Sequence, residues 1–504
     1  MTPDSRTLPK VALIKVCYEQ PGATAIPPMG LLFVGNALRK AGYDVRVFHV
    51  TREQALGHVP EIVAWHPFLI GFSVITGDPC DVVAVMTRDL RRALPGARVV
   101  YGGVHPTIEP EQCLACEGVD YVILHEGERS AVKLANALRD GQPVLDIAGL
   151  VYWRDGGMVT QPFKAFEHNL DALDMDWSLV DIERYVAPEY GGNRRVLMGY
   201  VASRGCPHQC GFCYNMVFNA RRWRHPSAAK VIRDVRALAE RHNLGGVVFH
   251  DDNFTANQGW ALEVISGLKV AALHVETRID YVTEKFMQAL ADRNVQSIFF
   301  GIEFGSERML KLIAKGFTVD RTRQSLSIVS KYPMSVKLSL IVGGPTETVT
   351  EYQATLRLIV WCIENMPRVG FTVGFYLPFP GTPLFDLCVQ RGFQKPQRFE
   401  DWVVMDRWGN QETPIPWTDG TFLTATETAR IRRWTGTLLT LYRDRSLGGR
   451  LRYVLLRWRF LHSGTRLVRA WLAWRRWGRQ LADRWRWRLS RQGWKAAWGR
   501  LAWR

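Results

Sequence analysis

The chain has 504 residues, 47% of them hydrophobic, enough to build cores for two or three domains. Nine Cys are too few for a disulfide scaffold and point to a reducing compartment; Met1–Lys10 is polar with no apolar leader, and no run approaches the roughly 20 apolar residues that span a bilayer, so a cytoplasmic protein is expected. The net charge of +17 is local: residues 445–504 hold 17 Lys plus Arg against one acid, Asp483, and nine of the 19 Trp, which leaves residues 1–444 at +1.

From residue 11 the chain alternates strand-like and helix-like segments. Val11–Val16, Val45–Val50, Leu69–Ile75, Val99–Tyr101 and Tyr121–Leu124 read as strands, with helical patterns at Gly30–Ala41, 80–93 and 129–139. This alternation predicts an α/β domain over 1–140, a doubly wound parallel sheet of flavodoxin-like (Rossmann-type) order with its ligand at the carboxyl ends of the strands. Residues 141–195 read as a connector, with a hairpin signal at Arg154-Asp155-Gly156-Gly157. In 113–116, Cys113-x2-Cys116 has no local ligand partners and reads as structural.

Residues 196–385 return to alternation, with strands expected at Leu197–Ala202, Gly246–His250, His274–Arg278, Ser297–Ile302, Lys337–Val342 and Gly370–Leu377. Six units are too few for a closed eight-stranded barrel and suit a partial TIM-like (β/α)6 barrel. After the first strand comes Ser203-Arg204-Gly205-Cys206-Pro207-His208-Gln209-Cys210-Gly211-Phe212-Cys213-Tyr214-Asn215. Thiolates at Cys206, Cys210 and Cys213 suit three corners of a cubane iron–sulfur cluster with the fourth iron left open, whereas an electron-transfer cluster normally takes four Cys. Zinc is the alternative, since a tetrahedral site wants one more ligand and His208 lies inside the loop. The acids Asp251-Asp252 end the second strand, either facing a ligand or as turn residues.

This Cys spacing, with an aromatic before the third Cys, resembles the radical S-adenosylmethionine (SAM) superfamily. The resemblance implies a [4Fe-4S] cluster whose open iron chelates SAM. An electron from an external one-electron reductant then cleaves a carbon–sulfur bond to give a 5′-deoxyadenosyl radical. It implies SAM contacts at Phe212 and Tyr214 beside the third Cys and at Arg278 after the third strand. Gly301-Ile302-Glu303-Phe304-Gly305-Ser306 resembles the Gly-Ile-Glu-x-Gly-Ser element, which assigns Gly301, Glu303, Gly305 and Ser306 to SAM. Gly343-Gly344-Pro345-Thr346-Glu347-Thr348 is similar to the family's Gly-x-Pro-Gly-Glu-Thr but has Thr346 where Gly is usual; Gly343 and Gly344 are assigned to SAM, as is Pro378 after the sixth strand.

Ahead of such a core, the first domain resembles a cobalamin-binding domain. Ser73, the pair Gly102-Gly103, and Gly127 in Glu126-Gly127-Glu128 match its contact positions, with His125 where the family has Gly. The Asp-x-His-x-x-Gly loop that supplies a histidine to cobalt is absent, and His105 is expected as a pocket wall. The resemblance places the chain in the group of methylases and the anaerobic magnesium-protoporphyrin ester cyclase. It implies C-methylation of an unactivated carbon in a small-molecule, hydrophobic substrate; cyclisation or ring rearrangement without methyl transfer, or RNA modification, are the alternatives. No catalytic acid or base is identified.

Residues 386–447 read as a C-terminal extension, and Gly448-Gly449 as a hinge before an Arg/Trp-rich tail over 448–504. At helical spacing over 467–489, Leu467, Trp471, Trp474, Leu481, Trp485 and Leu489 share one face, away from Arg469, Arg475, Arg476, Arg479 and Arg486. Such a helix suits an anionic membrane surface, so peripheral membrane attachment is expected; nucleic acid is the other polyanion it fits.

Overall fold

The computed structural model of the chain describes residues 8–17, 24–77, 79–190, 194–407, 417, 425–444 and 446–462. Two seven-stranded sheets organise it. The first contains β1 (Lys10–Cys17), β2 (Asp44–Thr51), β3 (Leu69–Ser73), β4 (Arg98–Gly102), β5 (Tyr121–Ile123), β6 (Leu150–Arg154) and β7 (Gly157–Thr160), in the order β2-β1-β3-β4-β5-β6-β7. β1 to β5 pair in parallel, and the order reverses between β1 and β3, which opens a crevice at the carboxyl ends of the strands. Helices cover both faces, which is why strands such as β1 are apolar on consecutive rather than alternate residues.

The connector is not separate from this sheet. Its hairpin adds β6 and β7 antiparallel to β5, covering an edge that would otherwise present unpaired backbone groups. The turn forms where the sequence predicts it: Asp155 and Gly156 both take positive φ, as a two-residue type I′ turn requires.

The second sheet runs β14-β13-β12-β11-β10-β9-β8, with β8 (Val186–Tyr190), β9 (Arg194–Tyr200), β10 (Gly246–Phe249), β11 (Ala271–Thr277), β12 (Ser297–Glu303), β13 (Ser335–Val342) and β14 (Val369–Phe375). β9 to β14 are parallel and form an open partial barrel; β8, also from the connector, is antiparallel. Ser227, Asn257, Thr283, Thr318, Thr348 and Thr382 cap the barrel helices, each side chain accepting the backbone N–H three residues on.

The segment after the barrel ties the two sheets together. Phe399 and Trp402 are buried against Tyr101 and His105 of the first domain, and Trp402 Nε1 donates to Gln112 Oε1 at 2.7 Å. The expected hinge at Gly448-Gly449 is instead the first turn of a helix, Leu447–Leu461, because Ser446 caps it by accepting the Gly449 N–H at 3.0 Å. That helix packs on Ala425–Arg443 and Val349–Asn365. The predicted amphipathic segment 467–489 lies outside the described residues. Among those that are described, no helix is long and apolar enough to cross a membrane.

Candidate functional site

The cysteine loop leaves β9 and is pinned at once by a buried acid. Asp251, just past β10, accepts the N–H groups of Ala202 (3.1 Å) and Ser203 and the Ser203 hydroxyl. The two acids after β10 therefore divide: Asp251 is buried and holds the loop, whereas Asp252 accepts the Tyr214 hydroxyl at 2.8 Å beside an open cleft. Burial pushes Asp251 up to about 7. Gly205 opens the loop with φ +81°, and a Cβ there would run into the Arg222 carbonyl.

Cys210 is buried, and Cys206 and Cys213 are half-buried. Asn253 Nδ2 lies 3.7 Å from the Cys206 sulfur and Arg278 Nη1 lies 3.7 Å from that of Cys210. Burial pushes up the Cys206 and Cys213 thiols, the latter to about 12, so their thiolates need a cation beside them. His208 is engaged by Tyr281, its Nε2 lying 2.6 Å from the hydroxyl. Three thiols on one loop, with outer donors on two of them, are a ligand set that suits a cubane cluster with one open iron.

Of the residues expected at SAM, Phe212 and Tyr214 belong to this loop, Arg278 touches it at Cys210, and Glu303 is joined to Phe212 through Lys315; the others lie in or just after β12, β13 and β14. Phe212 lies under the Lys315 ammonium, 5.6 Å from the ring centroid. Arg278 makes a paired contact with Asp280 and also donates to the Lys315 carbonyl. Glu303 sits at φ +59° and pairs with Lys315 at 2.8 Å, both side chains buried; a side chain at Gly301 would collide with that carboxylate. Gly305 packs directly on the backbone of Ala354 and Thr355, and Ser306 caps the helix Glu307–Leu312. The Gly343 and Gly344 N–H groups donate to Glu347, and the Gly343 carbonyl accepts from Trp417 Nε1 at 2.9 Å. Thr346 keeps the left-handed turn expected of Gly there, with φ +60°; Arg308 donates to both its hydroxyl and its carbonyl. Pro378 follows β14, three residues before Gly381, which takes positive φ.

Burial raises Glu347 to about 8 against 4.5 in an unfolded chain. It is protonated in the folded state at neutral pH and ionised in the unfolded one, so its stabilising contribution is present below pH 4.5 and is lost as pH rises through about 8. We expect Glu347→Gln to flatten the stability profile, with urea unfolding at pH 5.5 and 8.5 differing by about 2–3 kcal/mol less than in the wild type.

Ser73, Gly102, Gly103 and Gly127 line one cleft of about 340 Å³, at the carboxyl ends of the first sheet. Its far wall is the start and end of the cysteine loop, Ser203, Arg204, Gly205 and Tyr214, with Asp252 from just past β10. Of the two glycines at the end of β4, Gly103 is conformationally required: it has φ +100°, and a Cβ would meet the Val74 carbonyl at 2.9 Å. With Gly102, Gly103 and Gly127, this wall of the cleft presents bare backbone, against which a bulky planar group such as a corrin fits. His125 adopts φ +59°, so the backbone turn survives without Gly, and its Nδ1 lies 2.8 Å from the Phe218 carbonyl. His105 is not a pocket wall. It is fully buried on the other side, with Nδ1 3.1 Å from Thr76 Oγ1 and its ring against Phe399 and Trp402, and burial pushes it down to about 3. Cys113 and Cys116 are buried and unbridged, with Cys116 near the Tyr101 hydroxyl, as a structural reading requires.

Two features escape the sequence reading. Glu126 and Glu128 close the domain interface on the cysteine loop: Arg204 pairs with them at 2.8 and 2.7 Å, and Arg224 with Glu126 at 2.8 Å. Lys315 is the partner of Glu303. No local pattern marks either, although an Arg directly before the loop's Gly-Cys is a usable signal.

Two family profiles match the chain: the B12 binding domain over residues 22–135 and the radical SAM superfamily over residues 200–359. An uncharacterized methyltransferase of Pyrococcus horikoshii is 26% identical over 76% of this chain and 83% of its own. The anaerobic magnesium-protoporphyrin IX monomethyl ester cyclase of Synechocystis sp. is 28% identical over 61% of this chain and 62% of its own. The fold matches that of the radical SAM methyltransferase TsrM of Kitasatospora setae, solved with cobalamin and a [4Fe-4S] cluster, at a TM-score of 0.63 and 18% identity, covering 79% of this chain and 82% of that one.

Proposed function

The chain belongs to the cobalamin-binding radical SAM enzymes, with a [4Fe-4S] cluster, SAM and cobalamin as cofactors, and on that footing we propose that it methylates an unactivated carbon of a small-molecule substrate. The observation that carries this reading is the shared cleft, walled on one side by Ser73, Gly103 and Gly127 and on the other by the cysteine loop. A cofactor held by Ser73, Gly103 and Gly127 would share this cleft with whatever the cysteine loop holds, so a methyl donor there would be within the same space as the substrate.

When bound, the cofactors supply the radical and the methyl group, and the chain supplies position and shelter from water. Cys206, Cys210 and Cys213 would hold the cluster; Ser73, Gly102, Gly103 and Gly127 would hold cobalamin. Phe212, Tyr214, Arg278, Gly301 and Glu303 would seat SAM, with Gly305, Ser306, Gly343, Gly344 and Pro378 shaping the strand ends behind it. Arg278 steadies the Cys210 sulfur, and Lys315 orients Glu303 until a ligand's own cation or hydroxyls take its place. Asp251 fixes where the loop begins, and Tyr214 with Asp252 presents a polar edge to the cleft. An external one-electron reductant is part of this reading.

Anaerobic reconstitution with iron, sulfide and cobalamin, then SAM and reductant, tests it. Deoxyadenosine together with homocysteine is the expected product pair. Deoxyadenosine without homocysteine would instead favour cyclisation or rearrangement, the reading closer to the cyclase relative.

A further inference from the structure

The helix Leu447–Leu461 carries apolar side chains on two opposite faces. One face docks on the barrel. Gly449 and Phe460 are buried, Leu456 packs on the core, and the Tyr453 hydroxyl and Arg457 Nε both donate to Glu364 Oε1 at 2.8 Å. The other face points outward and consists of Leu447, Leu451, Val454, Leu455 and Trp458, which are 86, 62, 59, 59 and 51% exposed. At the helical repeat these five share a sector of about 100°. Arg450 borders that sector on one side and Arg452 on the other, both exposed, while Arg457 and Arg459 turn back to Glu364 and Trp434. No acid occurs anywhere in 445–462.

A surface helix ordinarily needs one apolar stripe, the inward one. A second stripe, facing solvent and edged on both flanks by Arg, has the construction of a helix that lies in the plane of an anionic bilayer. We propose that this helix is a bilayer-docking surface. Its outward stripe enters the boundary between headgroups and acyl chains, Trp458 sits at headgroup depth, and the exposed Arg450 and Arg452, one on each flank, engage lipid phosphates. Charge favours this occupant: nearly all of the chain's net charge lies in 445–504, so this end of the chain is the one drawn to an anionic surface. A nucleic acid would satisfy the Arg side chains and stack on Trp458, but it offers nothing to Leu447, Leu451, Val454 and Leu455. A second copy docked on the same stripe would bring two sets of Arg together with no acid between them.

The test is co-sedimentation of the full-length reconstituted protein with vesicles of phosphatidylcholine alone or mixed with phosphatidylglycerol. It is repeated in about 1 M salt, where screening over about 3 Å removes long-range attraction and leaves insertion. The wild type is expected to prefer the anionic vesicles and to stay partly bound in high salt. The variant Leu451→Gln/Val454→Gln/Leu455→Gln/Trp458→Gln is expected to partition at least about a hundredfold less in high salt, with unchanged iron content and melting. Should that variant not fold, Arg450→Glu/Arg452→Glu, at two exposed positions, is expected to lower anionic-vesicle binding about tenfold or more. Variants that partition like the wild type would overturn the proposal. So would a wild type that ignores both vesicles while binding polyuridylate, or a quadruple variant that changes only the oligomeric state.

Discussion

Protein with Cys206, Cys210 and Cys213 all replaced by alanine is expected to show no iron–sulfide absorption after anaerobic reconstitution, and no detectable cleavage of SAM. The other six cysteines give the cluster no second home. Cys80, Cys113, Cys116, Cys362 and Cys388 are buried in packed helices or turns, and Cys17 ends β1. The melting temperature should hardly change, because the loop is fixed from outside the sulfurs: by Asp251 at its start, and by Gly211, whose N–H donates to the Ile313 carbonyl at 2.9 Å while its carbonyl accepts from Leu384 N at 3.1 Å. Arg278→Met separates ligation from support. It removes the donor beside Cys210 without removing a sulfur, and is expected to lower cluster retention or turnover about 10–100-fold while shifting the reduction potential. Retained absorption in the triple variant would sink the assignment of the loop.

The second large effect is expected at the domain interface. Arg204→Met leaves Glu126 and Glu128 facing each other with side chains 10 and 8% exposed, and Glu128 without its partner. Breaking a buried pair from one side typically costs about 3–5 kcal/mol, far more than an exposed surface pair is worth. Urea unfolding should show that loss. Arg204→Met/Glu128→Gln should recover part of it, since one orphaned charge is then gone. Acid titration adds a sign. Burial alone would raise Glu126, but Arg204 and Arg224 outweigh it and hold the carboxyl below the usual glutamate range. A depressed folded value means stability that is present above the ordinary pKa and lost as pH falls through the folded one. The wild type should therefore weaken on acidification below about pH 4.5, and Arg204→Met should show a shallower acid limb. If the variant unfolds like the wild type at neutral pH, the interface does not depend on this network.

What could be read from the residues alone was what short-range chemistry encodes. Alternating apolar runs specified eleven parallel strands within a few residues, because strand burial depends on local composition. The hairpin at Asp155-Gly156 was legible because only a few residues accept positive φ twice in succession. The spacing of Cys206, Cys210 and Cys213 marked an open-cornered cluster because three ligands on one loop need no help from elsewhere in the chain. Conformation outlived residue type at two positions: His125 and Thr346 hold left-handed turns where Gly was expected, since neighbouring hydrogen bonds offset the cost.

Tertiary structure alone decided everything that depends on two distant segments meeting. It set Arg204 on Glu126 and Glu128, Lys315 on Glu303, and Arg278 on Cys210, pairs separated by 12 to 78 residues that leave no periodic trace. It sent His105 to Phe399 and Trp402 rather than into the cleft, and it turned Gly448-Gly449 from a hinge into a capped helix start. The physical reason is common to all of these. A backbone preference is a property of a few consecutive residues, whereas an ion pair or a buried ring takes its energy from what the fold brings beside it.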